Sequence, residues 1–225
     1  MNAPVDTELA SRIQHTLIAA GVTRDQMIAH AREAITYGFA AAMVPGSWVD
    51  VVARELEGTA VQVASALDFP TVGVMTTTGK AREAEELVRL GAHQIDMGVQ
   101  IGWLKSGDWD RFSADIRAVV AAGVPVKVML ELPLLTPQER ETAVTLSIEA
   151  GAAYLKNASS GAVEIAHPDS IRFLVERVPE GVGVKASGGI TSAEQARALL
   201  DAGAQLLGTS AGIGIVTSGS GEQSY

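Results

Sequence analysis

The sequence predicts a single-domain α/β fold, a (β/α)8 or TIM barrel. Short apolar runs alternate strictly with longer amphipathic ones along the 225 residues, and such alternation implies right-handed parallel crossovers. The hydrophobic content of 47% rests on Ala, Val, Leu and Ile, with only 4% aromatic residues, as befits strands buried on both faces beneath helices. The tripeptide x-Gly-Ala recurs ahead of strands at 90–92, 150–152 and 202–204, a weak trace of a repeated βα unit. Eight units in about 200 residues suit a small closed barrel better than a doubly wound sheet. A five- or six-stranded open sheet also satisfies the alternation.

In chain order the strand candidates are IQHTLI (13–18), FAAAMV (39–44), AVQVASAL (60–67), QIDMGV (94–99), VPVKVMLEL (124–132), AYLKNA (153–158), VGVKAS (182–187) and LLGTSA (206–211). The helical patterns between them are TRDQMIAHAREAITYG, SWVDVVARELEG, GKAREAEELVRLG, DWDRFSADIRAVVAAG, TPQERETAVTLSIEAG, HPDSIRFLVERV and TSAEQARALLDAG. Thr191 with Glu194 reads as a capping box, and Thr136 precedes a proline at the first helical position. Gly91, Gly151 and Gly203 stand where helices end on a left-handed glycine. The barrel is expected over residues 1–215, followed by a flexible polar tail over 216–225.

The formal net charge of −9 and the absence of any Lys/Arg run exclude a non-specific nucleic-acid surface and an anionic-membrane anchor. An anionic ligand must then be held by local devices such as backbone N–H groups or single lysines. The chain has no cysteine, so disulfides and thiolate sites are excluded. The first residues show no signal-peptide pattern and no apolar run approaches a membrane span, so the expected setting is the cytoplasm.

Catalytic groups of a barrel gather at the C-terminal ends of its strands. Four of the strand candidates carry an ionisable group near that end: Asp96, Glu131, Lys156 and Lys185. Three of only five lysines lie in strand segments, Lys127 being the third. One lysine in a strand is commonly a snorkelling or salt-bridged residue. Two at the ends of consecutive strands, with an aspartate across the barrel, point to function. Burial disfavours an ammonium and a second ammonium nearby pushes the same way, which makes one of the two a nucleophilic amine near neutral pH. Such an amine condenses with a carbonyl to a Schiff base, and the protonated imine accepts electrons from an adjacent C–C bond. A carboxylate such as Asp96 moves the protons this requires. This is the chemistry of a class I aldolase, which needs neither metal nor cofactor. His15, His30, His93 and His167 show no paired ligand spacing, and His30 and His93 fall where solvated histidines are usual.

The turns after the last two strands supply small residues: Ser187, Gly188 and Gly189 lead into one helix, and Thr209 and Ser210 begin a second small-residue segment. Small residues let backbone N–H groups approach a ligand, and these loops of a barrel are a frequent phosphate site.

At this point the residues resemble the deoxyribose-phosphate aldolases. The matching blocks are HTL near the start, DFP at 68–70, KAREAEELVRLGAHQIDM from Lys80, IGWLKSGDW from Ile101, the YLK ending at Lys156, VGVKASGGI and LLGTSAG, in family order over nearly the whole chain. The resemblance implies reversible cleavage of 2-deoxy-D-ribose 5-phosphate into acetaldehyde and D-glyceraldehyde 3-phosphate. It places the Schiff-base lysine at Lys156, the lysine that depresses its pKa at Lys185, and the proton-relay aspartate at Asp96. Phosphate contacts fall on Gly188, Gly189, Ser210 and neighbouring small residues, and a terminal tyrosine that assists proton transfer at the enamine carbon falls on Tyr225. Homodimers are the commonest assembly, and the resemblance makes one an expectation here.

The chain departs from the family pattern at several places. Gln14 stands where the family often has Asp, MVPG (43–46) replaces a CVNP-like strand end, DFP replaces GFP, and KNASSG (156–161) replaces KTSTG. These changes surround the barrel mouth and spare both lysines and Asp96. Asp68 is expected to be unfavourable beside a phosphate unless it points elsewhere. Two other readings stay open: a related Schiff-base aldolase for another or a non-phosphorylated aldehyde, and a sugar-phosphate-binding barrel without turnover.

Overall fold

The computed structural model describes residues 4–222. Helix α1 (Thr7–Ala10) leads into strand β1 (Ile13–Thr16), followed by α2 (Arg24–Tyr37), β2 (Ala41–Val44), α3 (Val49–Glu55), β3 (Gln62–Leu67), α4 (Thr77–Leu90) and β4 (Gln94–Gly98). Two helices, α5 (Ile101–Lys105) and α6 (Trp109–Val120), precede β5 (Val126–Met129); then come α7 (Pro137–Glu149), β6 (Tyr154–Lys156), α8 (Pro168–Val175), β7 (Gly183–Ser187), α9 (Ala193–Asp201), β8 (Leu206–Thr209) and α10 (Gly212–Thr217). The strands pair in sequence order, all parallel, and β8 closes on β1. The expected (β/α)8 barrel is the observed one.

Two cores follow from the period-two alternation of the strands. Outward residues such as Ile13, Val63, Ile95, Val128, Leu155 and Val184 are fully buried under the helices and form one continuous apolar layer. Inward, β2 and β3 present Ala41, Met43 and Ala64, a second and much smaller apolar cluster. Close-packed interiors need volumes that add up. Small side chains on β2 and β3 therefore leave room for the polar side chains that β4 to β7 send inward.

Helix ends follow the sequence signals in most places. Thr136 and Glu139 form a capping box with Pro137 inside the first turn, and Gly91 is the left-handed C-cap of α4. The start of α9 lies one residue later than the pattern suggests: Ser192 caps the Gln195 N–H at 3.1 Å, while the Gln195 side chain accepts from the Thr191 N–H at 3.1 Å. The expected tail from residue 216 begins inside α10. Val216 is buried and its carbonyl accepts from the Asp6 N–H at 2.9 Å, and Ser220 bridges Ser192.

Lys80, near the start of the helical pattern GKAREAEELVRLG, is fully buried. Its ammonium donates to the Gly98 carbonyl at 2.7 Å and to Asp115 at 2.8 Å, and pairs with Asp68 at 2.7 Å. Asp68, in left-handed backbone at φ 56°, also accepts from the N–H groups of Gly73, Val74 and Met75 at 2.9–3.0 Å. The carboxylate that replaces a family glycine thus clamps the β3–α4 loop from within. Removing one partner of such a buried cluster leaves an uncompensated charge and typically costs about 3–5 kcal/mol.

His30 is likewise buried, against the expectation of a solvated ring. It sits between β1 and α2, stacked on His15 with centroids 4.4 Å apart, and one ring nitrogen lies 3.2 Å from the His15 carbonyl. Burial, reinforced by His15, pushes its pKa down from 6.5 to about 3. The unfolded chain therefore takes up this proton first: stability is full above pH 6.5 and falls as pH drops toward 3, by about 2 kcal/mol between pH 6.5 and 5. His30→Gln is expected to remove that part of the slope, checked by urea unfolding at pH 7 and pH 5; equal slopes in both proteins would assign the acid loss to other groups.

Candidate active site

Parallel register brings the inward ionisable groups to two neighbouring levels. Asp96 on β4 is level with Lys127 on β5, Met129 on β5 with Lys156 on β6, and Lys156 with Lys185 on β7. The side chains converge on Asp96: Lys185 Nζ donates to Oδ2 at 2.7 Å, Lys156 Nζ to the same oxygen at 3.1 Å, and Lys127 Nζ stands 3.3 Å from Oδ1 without hydrogen-bond alignment. One carboxylate serves three amines. Sequence reasoning placed Lys127 in a strand but gave it no part in this cluster.

Burial opposes the charge on Asp96, but Lys185, Lys156 and Lys127 together outweigh it and hold the carboxyl well below its usual range. For Lys185 burial dominates and pushes the amine well below the ordinary lysine value; Asp96 opposes this, while Lys156 and Lys127 add to it. Lys127 is pushed down for the same reasons. Exposure separates the three amines: the Lys156 side chain keeps 6% of its surface open, Lys185 1% and Lys127 none. Lys156 is the most open of the three.

Lys156, Lys185, Asp96 and Ser187 line a small deep pocket together with Thr16 and Ser159. Ile18, Ala66 and Phe69 belong both to this pocket and to a cavity of about 810 Å³ at the barrel mouth. The mouth cavity is lined by Ile18, Val22, Val44, Trp48, Phe69 and Ser160–Ala162 among others, and no ionisable residue among the described ones lines it. Sequence reasoning missed this wall because Leu17 and Ile18 read as strand, whereas β1 ends at Thr16 and frees them for the loop.

The loop after β6 is fastened to the loop after β7. Asn157 accepts from the Ser187 N–H at 2.9 Å and donates to the Ser187 carbonyl at 3.0 Å and to Glu164 at 2.6 Å. Gly188, at φ 114°, leaves no space for a side chain because a Cβ would meet the Glu164 carbonyl oxygen. Thr209 is fully buried, its hydroxyl donating to the Ile190 carbonyl at 2.6 Å and accepting from the Ala211 N–H at 3.0 Å. Its side chain ties two loops together. Gly188, Gly189 and Ser210 stand in the loops where the sequence places them, beyond the walls of both cavities.

Glu131 lies past the end of β5, in left-handed backbone at φ 52°, with one carboxylate oxygen accepting from the Ser159 N–H at 2.8 Å. Burial pushes its pKa up. It supports the Lys156 loop and sits outside the lysine cluster. Tyr225 lies outside the described residues.

His15, His30 and Glu33 bring ligand-type atoms within 4.8 Å of one another, behind β1 and away from the lysines. The two imidazoles stack at an interplanar angle of 27°, with His15 Nε2 3.3 Å from Glu33 and His30 Nε2 3.2 Å from the His15 carbonyl.

No protein-family model matches the chain. It is 44% identical over 218 residues to the deoxyribose-phosphate aldolase of Methanothermobacter thermautotrophicus, covering 96% of this chain and 97% of that one. It is 40% identical over 221 residues to the deoxyribose-phosphate aldolase of an Exiguobacterium species, covering 97% of this chain and all of the other. Among solved structures, the tetrameric deoxyribose phosphate aldolase of Aeropyrum pernix superimposes with a TM-score of 0.85 at 30% identity, covering 93% of this chain and 90% of that one.

Asp96→Asn is expected to lower the unfolding free energy at pH 7 by about 3–5 kcal/mol, because the amines lose the one carboxylate partner they have among the described residues. The loss should shrink toward pH 10, where neutral amines cost less to bury. Urea unfolding across that range checks it, and a pH-independent loss would assign the effect to packing.

Proposed function

The chain belongs to the deoxyribose-phosphate aldolase family and is a lyase of the aldolase type, and from that premise we propose that it cleaves 2-deoxy-D-ribose 5-phosphate reversibly to acetaldehyde and D-glyceraldehyde 3-phosphate through a Schiff base on Lys156. The observation that carries this reading is the position of Lys156: the most open of three amines around one carboxylate, beside a second amine at register level.

In the cleavage direction Lys156 Nζ adds to the open-chain aldehyde, and loss of water from the carbinolamine leaves a protonated imine. The C3 hydroxyl gives up its proton as the C2–C3 bond breaks. Its electron pair moves into the imine, giving an enamine and glyceraldehyde 3-phosphate. Protonation of the enamine carbon and hydrolysis release acetaldehyde and return the amine. Asp96 stays ionised, so its part is to hold the hydrogens of Lys156 and Lys185 on a shared oxygen. Lys185, the amine displaced toward neutrality, is the group suited to exchange protons with the reacting centre. The loops carrying Gly188, Gly189 and Ser210 are assigned to the phosphate, through backbone N–H groups.

Reduction with borohydride in the presence of acetaldehyde should leave an ethyl group on Lys156, located by peptide mapping. Lys156→Leu should retain the fold, give no adduct and lose essentially all cleavage. An adduct on another lysine would move the nucleophile.

The uncharged wall of the mouth cavity favours a second, compatible reading: acceptance of non-phosphorylated aldehydes as the electrophile in the synthetic direction. Burial of each methylene against Ile18, Val22 and Trp48 is worth about 0.8 kcal/mol, so KM should fall about three- to fourfold per added carbon from propanal to pentanal. A KM independent of chain length would remove this wall from the acceptor site.

A further inference from the structure

A residue outside the expected catalytic set touches the cluster most closely. Gln14, inward on β1 and fully buried, places its Oε1 2.5 Å from Lys185 Nζ, nearer than Asp96 does. Its Nε2 donates to Gln94 Oε1 at 2.6 Å, and Gln94 Nε2 donates in turn to Gln62 Oε1. Gln94 and Gln62 are the first residues of β4 and β3, so a row of three amides runs from the buried lysine to the N-terminal rim of the barrel, where Gln62 is exposed. The row fixes which end of each amide faces which neighbour. With Nε2 of Gln14 held by Gln94, only its oxygen is left for Lys185.

We propose that Gln14 is a positioning residue for Lys185: a neutral acceptor, fixed in orientation by Gln94 and Gln62, that holds the amine in place without supplying negative charge. The inference deepens the aldolase reading, on which the importance of Lys185 rests. The charged groups facing Lys185 are Asp96 from β4, Lys127 from β5 and Lys156 from β6. From β8 the neighbour is Gly208, where a Cβ would stand 3.0 Å from Lys185 Cε, and from β1 it is Gln14. An amide oxygen accepts from an ammonium and from a neutral amine alike, and it favours the ammonium far less than a carboxylate at the same place would. Gln14 therefore lets Lys185 gain and lose a proton without losing its anchor. A carboxylate in its place would give three amines two counter-charges and favour the ammonium.

The test uses the full chain labelled with 13C and 15N in lysine, whose five lysines can be assigned by single replacements. The titration of Lys185 is followed at Cε and Nζ. In Gln14→Glu, close in shape but charged, the midpoint of Lys185 is expected to rise by about 1–3 units, and the acid limb of the cleavage profile to rise with it. Gln94→Glu places the same charge one amide further away, so a smaller rise is expected. It carries the test alone if Gln14→Glu does not fold. An unchanged or lowered midpoint in the folded variant overturns the proposal, since a merely structural glutamine would alter stability and leave the titration where it was. The spectra need no turnover, so failure of the aldolase reading, seen as absence of the borohydride adduct in the unaltered protein, is read separately.

Discussion

One buried carboxylate facing three buried amines is the constraint around which the barrel interior is arranged. Asp96 can balance only one positive charge, so the cluster can neither be fully charged at low cost nor fully neutral at pH 7. The excess is met by lowering the proton affinity of Lys185 and of Lys127.

The rest of the interior accommodates this. Long amines on β5 to β7 fit because Ala41, Ala64 and Ala66 on β2 and β3 are short and because Gly208 on β8 gives Lys185 its path. A separate buried ion cluster, Lys80 with Asp68 and Asp115, is placed between the barrel and its helices and fastens the loop that carries Phe69. The two clusters use similar groups to opposite ends. Lys80 has as many acidic partners as it can use and is a rivet, whereas Lys156 and Lys185 share one and remain adjustable.

Much of this was legible in the sequence, and the reasons are specific. Alternating strand and helix patterns gave the barrel, and lysines where apolar residues belong gave the cluster, because an ionisable residue in a strand is costly enough to need a purpose. The strands of Lys156 and Lys185 are adjacent in the chain, so their proximity followed from the topology. What stayed hidden depended on partners far apart in sequence. Lys80 opens a helix with ordinary amphipathic spacing, and only the fold brings Asp68 and Asp115 to it. Gln14 was visible as a departure from a family pattern, but its contact with Lys185 spans 171 positions. His30 looked like a surface residue because its buried stacking partner is on another element. The 810 Å³ cavity was hidden because it is made of loop residues whose apolar character read as strand.

The short side chains of β2 and β3 carry one more implication. Inside this barrel, charge lies on one side of the axis and empty volume opens on the other, where Ala66 and Phe69 join the deep pocket to the mouth. Shape and electrostatics are therefore carried by different strands. Enlarging Ala66 trims the space open to a substrate without adding a charge or displacing an amine. Such a barrel can change what it admits through successive neutral steps while its reactive centre stays intact, a division of labour that leaves selectivity free to drift under selection.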